Sequence, residues 1–375
     1  MKKLLSAVAA ALRVTSVVLA VMTAVVAFVS LLAHDGVFSP ESPLFIADFI
    51  SPLWLCIPLL AAGILALIGG GRLFWIPVAG AGLFFLLYGD ISLGALGGAL
   101  SQQAMASRHT LRAVTLNVEY YAQGVDAVMD AIDRLDADVV FLGEHVLSTG
   151  QYMTMQKRLN GRTLVAGHPN STALISRLPV VWWKEVELPS HEASLSGGND
   201  PDEVVKHPHR SFIHAVVRSD SQYVHVISVR FVAGRPKDHS LPETLRWSAF
   251  MFREQTEESE FFARYVSGLK GPVIFGGDLN ACPEARTVAR LRAVATDAYM
   301  ANNVFGDFTF RVEFPTMRID YLFCMNGVSS VAASRPRVIV SDHFPVLATF
   351  ALGPAGTGNG RDIIPASYGR PAPEN

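Results

Sequence analysis

Residues 273–280 read VIFGGDLN. A short apolar run rich in β-branched and aromatic residues, closed by two glycines, predicts a buried strand that ends in a turn. The turn carries Asp278 and Asn280. A carboxylate at the end of a buried strand is costly unless something nearby neutralises it. Taken alone, GDLN reads more readily as a turn or helix cap than as chemistry. Its neighbours along the chain change that weighting.

The same pattern recurs on either side. Asn117 and Glu119 follow the apolar residues of LRAVTLNVE (111–119), and Glu144 follows VVFLG (139–143). Asp320 lies in RIDYLF (318–323), and Asp342 with His343 in VSDHFP (340–345). Acidic and amide groups gathered at one sheet edge would form a hard-oxygen site suited to Mg2+, with Mn2+ or Ca2+ as alternatives. A lone histidine such as His343 is ordinarily a structural residue; the ordered set gives it weight.

Further strands are expected near 172–176, 212–217, 223–229 and 346–350. Helices are expected at 125–135 and about 244–268. Strands outnumber helices, which fits an α+β sandwich of two sheets with helices outside, four layers in all, although the pattern alone also admits another α/β arrangement.

Composition places this domain behind a membrane block. Apolar residues make up 50% of the 375 and charged residues only 17%, against about 25% charged in soluble proteins. Apolar runs lie at about Val14–Ala33, Pro52–Gly69 and from Leu73 to at least Leu87. The first has the length of a bilayer core, about 30 Å at 1.5 Å per residue. A cleaved signal peptide is the competing reading, weakened by the length of the run and the two that follow. Lys2, Lys3, Arg13 and Arg72 mark cytoplasmic sides. Three spans then put everything after about residue 100 outside the cytoplasm, in a multi-pass protein of the cell membrane. A re-entrant third run would reverse that. The expected organisation is a membrane block over 1–105, a catalytic domain over 108–352 and a disordered Gly/Pro-rich tail over 353–375.

Beyond residue 107 the chain carries 27 basic and 29 acidic residues. That balance counts against polymeric nucleic acid, whose enzymes display an excess of positive charge. The cysteines Cys56, Cys282 and Cys324 show no zinc spacing and read as ordinary buried thiols. Trp182 and Trp183 read as packing residues, and Glu254–Glu260 as the solvated face of a helix. His207, His209 and Arg210, in KHPHR, read as a polar loop or as a phosphate or headgroup contact.

The ordered motifs TLNVE, VVFLGEH, GGDLN, RIDYLF and SDHFPV, with TALISRLPV at 172–180, resemble the endonuclease/exonuclease/phosphatase superfamily over roughly residues 110–352. The resemblance implies a metal-dependent phosphoesterase. Glu144 would be the main metal ligand, with Asn117 and Asp342. Asp278 would activate the attacking water, Asn280 would hold it or the phosphate, and Asp320 would orient His343 for proton transfer. Glu119 stands where some relatives carry an aspartate near the metal and would border the substrate; for His209 a substrate contact is read from the KHPHR cluster alone.

One position departs from the family. Relatives often carry a histidine at the end of the strand before the long helix, where this chain, in VHVISVRF, has Arg230. An arginine grips phosphate but does not shuttle protons at neutral pH. The arrangement of spans and domain is similar to membrane-bound members linked to teicoplanin-type resistance. The expected partners are the bilayer and a phosphorylated substrate, a lipid-linked one included. An extracytoplasmic nuclease and a catalytically impaired, membrane-tethered binding domain remain as alternatives.

Overall fold

The computed structural model describes residues 2–34, 52–88, 90–92, 95, 109–167, 172–189, 210–233, 240–313 and 316–353. Two compact units emerge: Met1–Ile91 with Cys282–Arg286, and Ser92–Ala281 with Thr287–Asn375.

The first unit holds helices α1 (Lys2–His34), α2 (Cys56–Ile68) and α3 (Trp75–Tyr88). Lys2–Ser30 is long and apolar enough to cross a membrane. The other two expected spans become helices of 13 and 14 residues, about 20 Å each, short of a bilayer core. Helix α2 stops at three glycines, and Gly70 takes φ +69°. The loop 35–50 lies outside the described residues. On α1 the buried positions include Ser16, Thr23, Ala27 and Ser30. Small side chains let helices approach closely, and the Ser16 hydroxyl donates to the Ala62 carbonyl of α2 at 2.7 Å.

The second unit opens with β1 (Thr110–Asn117), α4 (Val125–Leu135), β2 (Val139–Gly143), α5 (Thr149–Arg158), β3 (Thr163–Ala166) and β4 (Ala173–Ser176). There follow β5 (Val180–Glu187), β6 (Ser211–Ser219), β7 (Gln222–Ser228), α6 (Leu241–Ser267), β8 (Val273–Asp278) and α7 (Arg286–Val294). The last strands are β9 (Thr296–Asp297), β10 (Asp320–Met325), β11 (Val328–Ser334) and β12 (Val346–Leu352). They form two six-stranded sheets, ordered β11-β12-β1-β2-β4-β3 and β5-β6-β7-β8-β10-β9. β1 runs parallel to β2, and β7 parallel to β8.

Period-two alternation explains the layering. Leu111 and Ala113 of β1 join Phe141, Ile274, Leu322 and Phe350 in the core between the sheets. Val114 and Leu116 face the other way and pack with Val128, Met129 and Ile132 of α4. Outside the second sheet, Phe262 of α6 meets Phe212 and Phe275 edge-on at 5.0 and 5.3 Å. Helix, sheet, sheet and helix give the expected four layers.

The expected strands and the helices at 125–135 and 241–267 form. Helix α5 and strands β3, β5 and β11 had no periodic signal. One expectation is overturned: Glu254 and Glu258 of α6 are buried, each ion-paired with the buried Arg210. A helix packed against a sheet has no solvated face where a cation from the sheet reaches it. Cys282 and Cys324 are buried thiols outside any disulfide, and Trp182 is buried against His214 with ring centroids 5.1 Å apart. The linker 101–108, His207, His209 and the tail beyond 353 lie outside the described residues.

Candidate active site

Strand parity decides which polar side chains meet. Asn117 shares the face of Leu111 and Ala113, Asp278 that of Ile274, and Asp320 that of Leu322 and Cys324. All three therefore point between the sheets, at the edge where β1 and β8 end and β10 begins. Asp320 stands directly opposite Asp278 in the antiparallel β8–β10 register. Arg230 continues the inward face of Val224 and Val226 beyond β7.

The contacts form a continuous chain. Asn117 Nδ2 donates to Asp278 Oδ2 at 3.1 Å and lies 3.5 Å from His343 Nε2. His343 Nδ1 meets Asp320 Oδ2 at 2.8 Å, and its Nε2 is 3.8 Å from Asp342 Oδ1. The Asn280 amide donates to Asp278 Oδ1 at 2.9 Å, while its side chain donates to the Phe231 carbonyl. Arg230 Nη2 donates to Glu144 Oε1 at 2.6 Å, and its Nε lies 3.6 Å from Asp278 Oδ2. The backbone amide of Glu119 donates to Asn117 Oδ1.

Several of these residues sit on unusual backbone. Glu119, Tyr120, Tyr121, Glu144 and Asn280 have φ between 45° and 60°. Left-handed non-glycine residues cost about 1 kcal/mol or more each and cluster where side chains must be aimed.

Burial and charge set the protonation states. Burial opposes a charge on His343, but Asp320, with Asp278 and Asp342, overcomes it and pushes the imidazole up to about 10. Burial raises the Asp278 carboxyl, with Asp320 adding to it and His343 and Arg230 opposing. Glu119 is raised by burial and by Asp342.

The carboxylates of this cluster fit a divalent cation; His343 beside them, held protonated by Asp320, has no lone pair free for one. Ligand atoms of Asp278, Asp320 and His343 lie within 4.8 Å of one another, the group of this kind found among the described residues. Asp320 Oδ1 is buried without a hydrogen-bond partner, an orphaned acceptor that a cation would satisfy. The cluster draws on residues to which the resemblance assigns catalysis. Of the residues it assigns to the metal, Glu144 engages Arg230 and Asn117 engages Asp278.

Three participants escape a reading of the sequence. Thr309 Oγ1 accepts from the amides of Ile319 and Asp320 and fixes the carboxylate. Phe310 lies with its ring 4.8 Å from that of His343. Tyr120 is half-exposed beside Glu144; burial and that carboxylate raise its phenol. Tyr120 adjoins TLNVE and could have been noticed; nothing marks Thr309 or Phe310.

Twin sheets thus deliver a carboxylate-held histidine and further acidic groups to a shared edge. The sequence model of the Endonuclease/Exonuclease/phosphatase family matches residues 114–343, and the chain belongs to that family. No curated protein matches the sequence. Among solved structures, it is similar to an endonuclease/exonuclease/phosphatase from Bacteroides vulgatus, at 17% identity and TM-score 0.49 over 65% of this chain and 99% of that one. A second, from Beutenbergia cavernae, has 20% identity and TM-score 0.47 over 67% and 74%. The human Nocturnin catalytic domain has 16% identity and TM-score 0.46 over 65% and 95%.

Proposed function

We propose that this chain is a divalent-metal-dependent phosphoesterase that hydrolyses a phosphate ester or pyrophosphate presented at a membrane, with lipid-linked phosphates as the substrate class. The observation that carries the reading is the His343–Asp320 pair set beside the buried Asp278, to which Asn117 donates. It places a histidine held protonated near neutral pH next to a buried carboxylate suited to orient water.

In this reading Asp278 positions the attacking water and accepts its proton, with Asn280 holding the loop. Protonated His343, fixed by Asp320, donates to a phosphoryl oxygen where negative charge develops. Arg230 supplies a second fixed positive charge. Glu144, Asp278, Asp320 and Asp342 are the carboxylates available to a cation, Mg2+ by their hardness. When bound, the ion supplies Lewis-acid polarisation of the phosphoryl group. Lys2–Ser30 anchors the chain in the cell membrane, and the basic residues of the N-terminal block favour an extracytoplasmic domain.

The test is hydrolysis by the full chain in lipid nanodiscs. The panel holds a polyprenyl pyrophosphate, a phospholipid, a soluble phosphomonoester and single-stranded DNA, each with Mg2+ and with EDTA. Metal-dependent turnover of a lipid phosphate, lost in Asp278→Asn and His343→Ala, is expected. Preferred turnover of DNA would replace the lipid reading with the nuclease one. No turnover of any member would leave a tethered binding domain.

A further inference from the structure

The apolar surface of the second unit is distributed unevenly. Among the described residues between 109 and 353, the large apolar side chains that are exposed are Tyr120, Tyr152, Met153, Leu241, Phe305, Phe308 and Ile339. Strand directions locate each of them. Tyr120 follows the end of β1, and Tyr152 and Met153 lie in the first turns of α5, just after β2. Leu241 begins α6, on the connection leaving β7. Phe305 and Phe308 precede β10, and Ile339 lies between β11 and β12.

β1 and β2 end, and β12 begins, at one edge, because Thr115 pairs with Val346 and Asn117 with Gly143. β7 and β8 end, and β10 begins, at the corresponding edge of the second sheet. Every one of these exposed apolar residues is therefore on a connection at the end of the sandwich that carries Asp278 and His343. The connections at the opposite end include Asp136–Asp138, Asn160–Arg162, Arg177–Pro179, Asp220–Ser221, Gly268–Pro272 and Asn326–Gly327; their apolar residues, Leu178 and Leu269 among them, are not among the exposed large apolar side chains.

Single exposed apolar residues are unremarkable; their confinement to one end of a domain is not. The chain says what covers them. Ser92 is the fourth residue beyond α3, and its amide donates to the Val304 carbonyl at 2.8 Å, next to Phe305. The polypeptide thus enters the second unit at its apolar end. Arg311 and Arg337, both exposed, lie three residues after Phe308 and two before Ile339, and aromatic and basic side chains together suit the headgroup region of a bilayer.

We propose that the active-site end of this domain is a membrane-docking face, on which Phe305, Phe308, Ile339 and Tyr120 enter the headgroup layer. The occupant is the bilayer in which α1 is anchored. Docked this way, the site opens toward lipid and takes its phosphate from the membrane plane. The inference rests on the distribution of side chains and on the anchor, and it holds whichever phosphate is cleaved.

Depth measurement tests it on the full chain. In a Cys56→Ser background, spin labels are placed at Phe305→Cys, at Ile339→Cys and, at the opposite end, at Ser221→Cys. The protein is reconstituted in nanodiscs of phosphatidylcholine and phosphatidylglycerol. Labels at 305 and 339 are expected to meet dissolved oxygen more often than a polar nickel complex, and the label at 221 the reverse. Aqueous behaviour at 305 and 339 would overturn the proposal. Because labels can disturb a loop, hydrogen exchange of the unlabelled protein is read as well. Residues 303–308 and 337–341 should exchange at least several-fold more slowly in nanodiscs than in amphipol, with 220–222 unchanged. Equal exchange in both would also overturn it. Neither readout depends on turnover, so an inactive protein that docks and an active one that does not are told apart.

Discussion

The Arg230 guanidinium stands between two carboxylates, donating from Nη2 to Glu144 at 2.6 Å with its Nε 3.6 Å from Asp278 and without a hydrogen-bond partner. A fixed cation there neutralises the same groups that a divalent ion would, and like charges compete for them. Arg230→Gln is expected to tighten Mn2+ binding by about tenfold, read by calorimetry, since one pK-sized unit of interaction is about 1.4 kcal/mol. Hydrolysis should nonetheless fall by about two orders of magnitude, the scale of one removed transition-state contact. Unchanged metal affinity would place Arg230 outside the cation's reach.

The pairing of His343 with Asp320 has a pH signature. The folded-state value of His343 is raised to about 10, above the roughly 6.5 of an unfolded histidine. The stabilisation from the charged pair is therefore complete below about 6.5 and lost as pH rises through about 10. Asp320→Asn should lower the imidazole titration followed by NMR and destabilise the protein at pH 7. The stability gap between wild type and variant should narrow as pH passes 10. A gap constant from pH 7 to 10.5 would mean that the pair is not ionic.

Gly277 has φ +150°, and a Cβ there would lie 1.7 Å from the Val229 carbonyl. That carbonyl belongs to the segment between β7 and Arg230, whose Val229 amide is bonded to Gly276. No small rotation relieves backbone against backbone. Gly277→Ala is expected to cost more than about 4 kcal/mol, the range of severe steric substitutions, or to prevent folding. A melting temperature within a few degrees of wild type would contradict this close approach.

The GGDLN stretch thus carried both fold and site, because one strand supplies the close approach, the buried run and the inward carboxylate. Parity made Asn117, Asp278 and Asp320 legible: each is an even number of residues from an apolar neighbour on its strand. Parity also explains why His225 is no substitute for Arg230, for it points to the opposite face, toward α6. Glu254 and Glu258 were misread because their partner Arg210 is more than forty residues away in sequence, and helical periodicity carries no record of it. Thr309 and Phe310 were invisible for the same reason. They act through Asp320 and His343 across an irregular loop that has no period. The apolar N-terminal helices were legible in composition but not in length, which depends on where the glycines end α2.

The His214–His225 pair gives the remaining prediction. His225 Nε2 faces the Lys270 carbonyl at 3.0 Å, an acceptor only, so that nitrogen carries the proton. His225 Nδ1 must then accept from His214 Nε2 at 2.8 Å, which leaves His214 Nδ1 to accept from the Tyr265 hydroxyl at 2.6 Å. Every atom in this buried chain is satisfied only when both rings are neutral; an added proton sets donor against donor. Burial lowers both histidines, with mutual repulsion and Lys184 adding to the effect on His214. A depressed folded-state value means that the stabilisation is present above about 6.5 and lost as pH falls below it. Thermal unfolding of the full chain in nanodiscs should therefore show a melting temperature that drops between pH 7 and pH 5. In His214→Gln/His225→Gln that drop should be smaller, even though the variant is less stable at pH 7. Parallel pH profiles for the two proteins would show that the chain stays intact in acid, and that the acid sensitivity arises among the carboxylates instead.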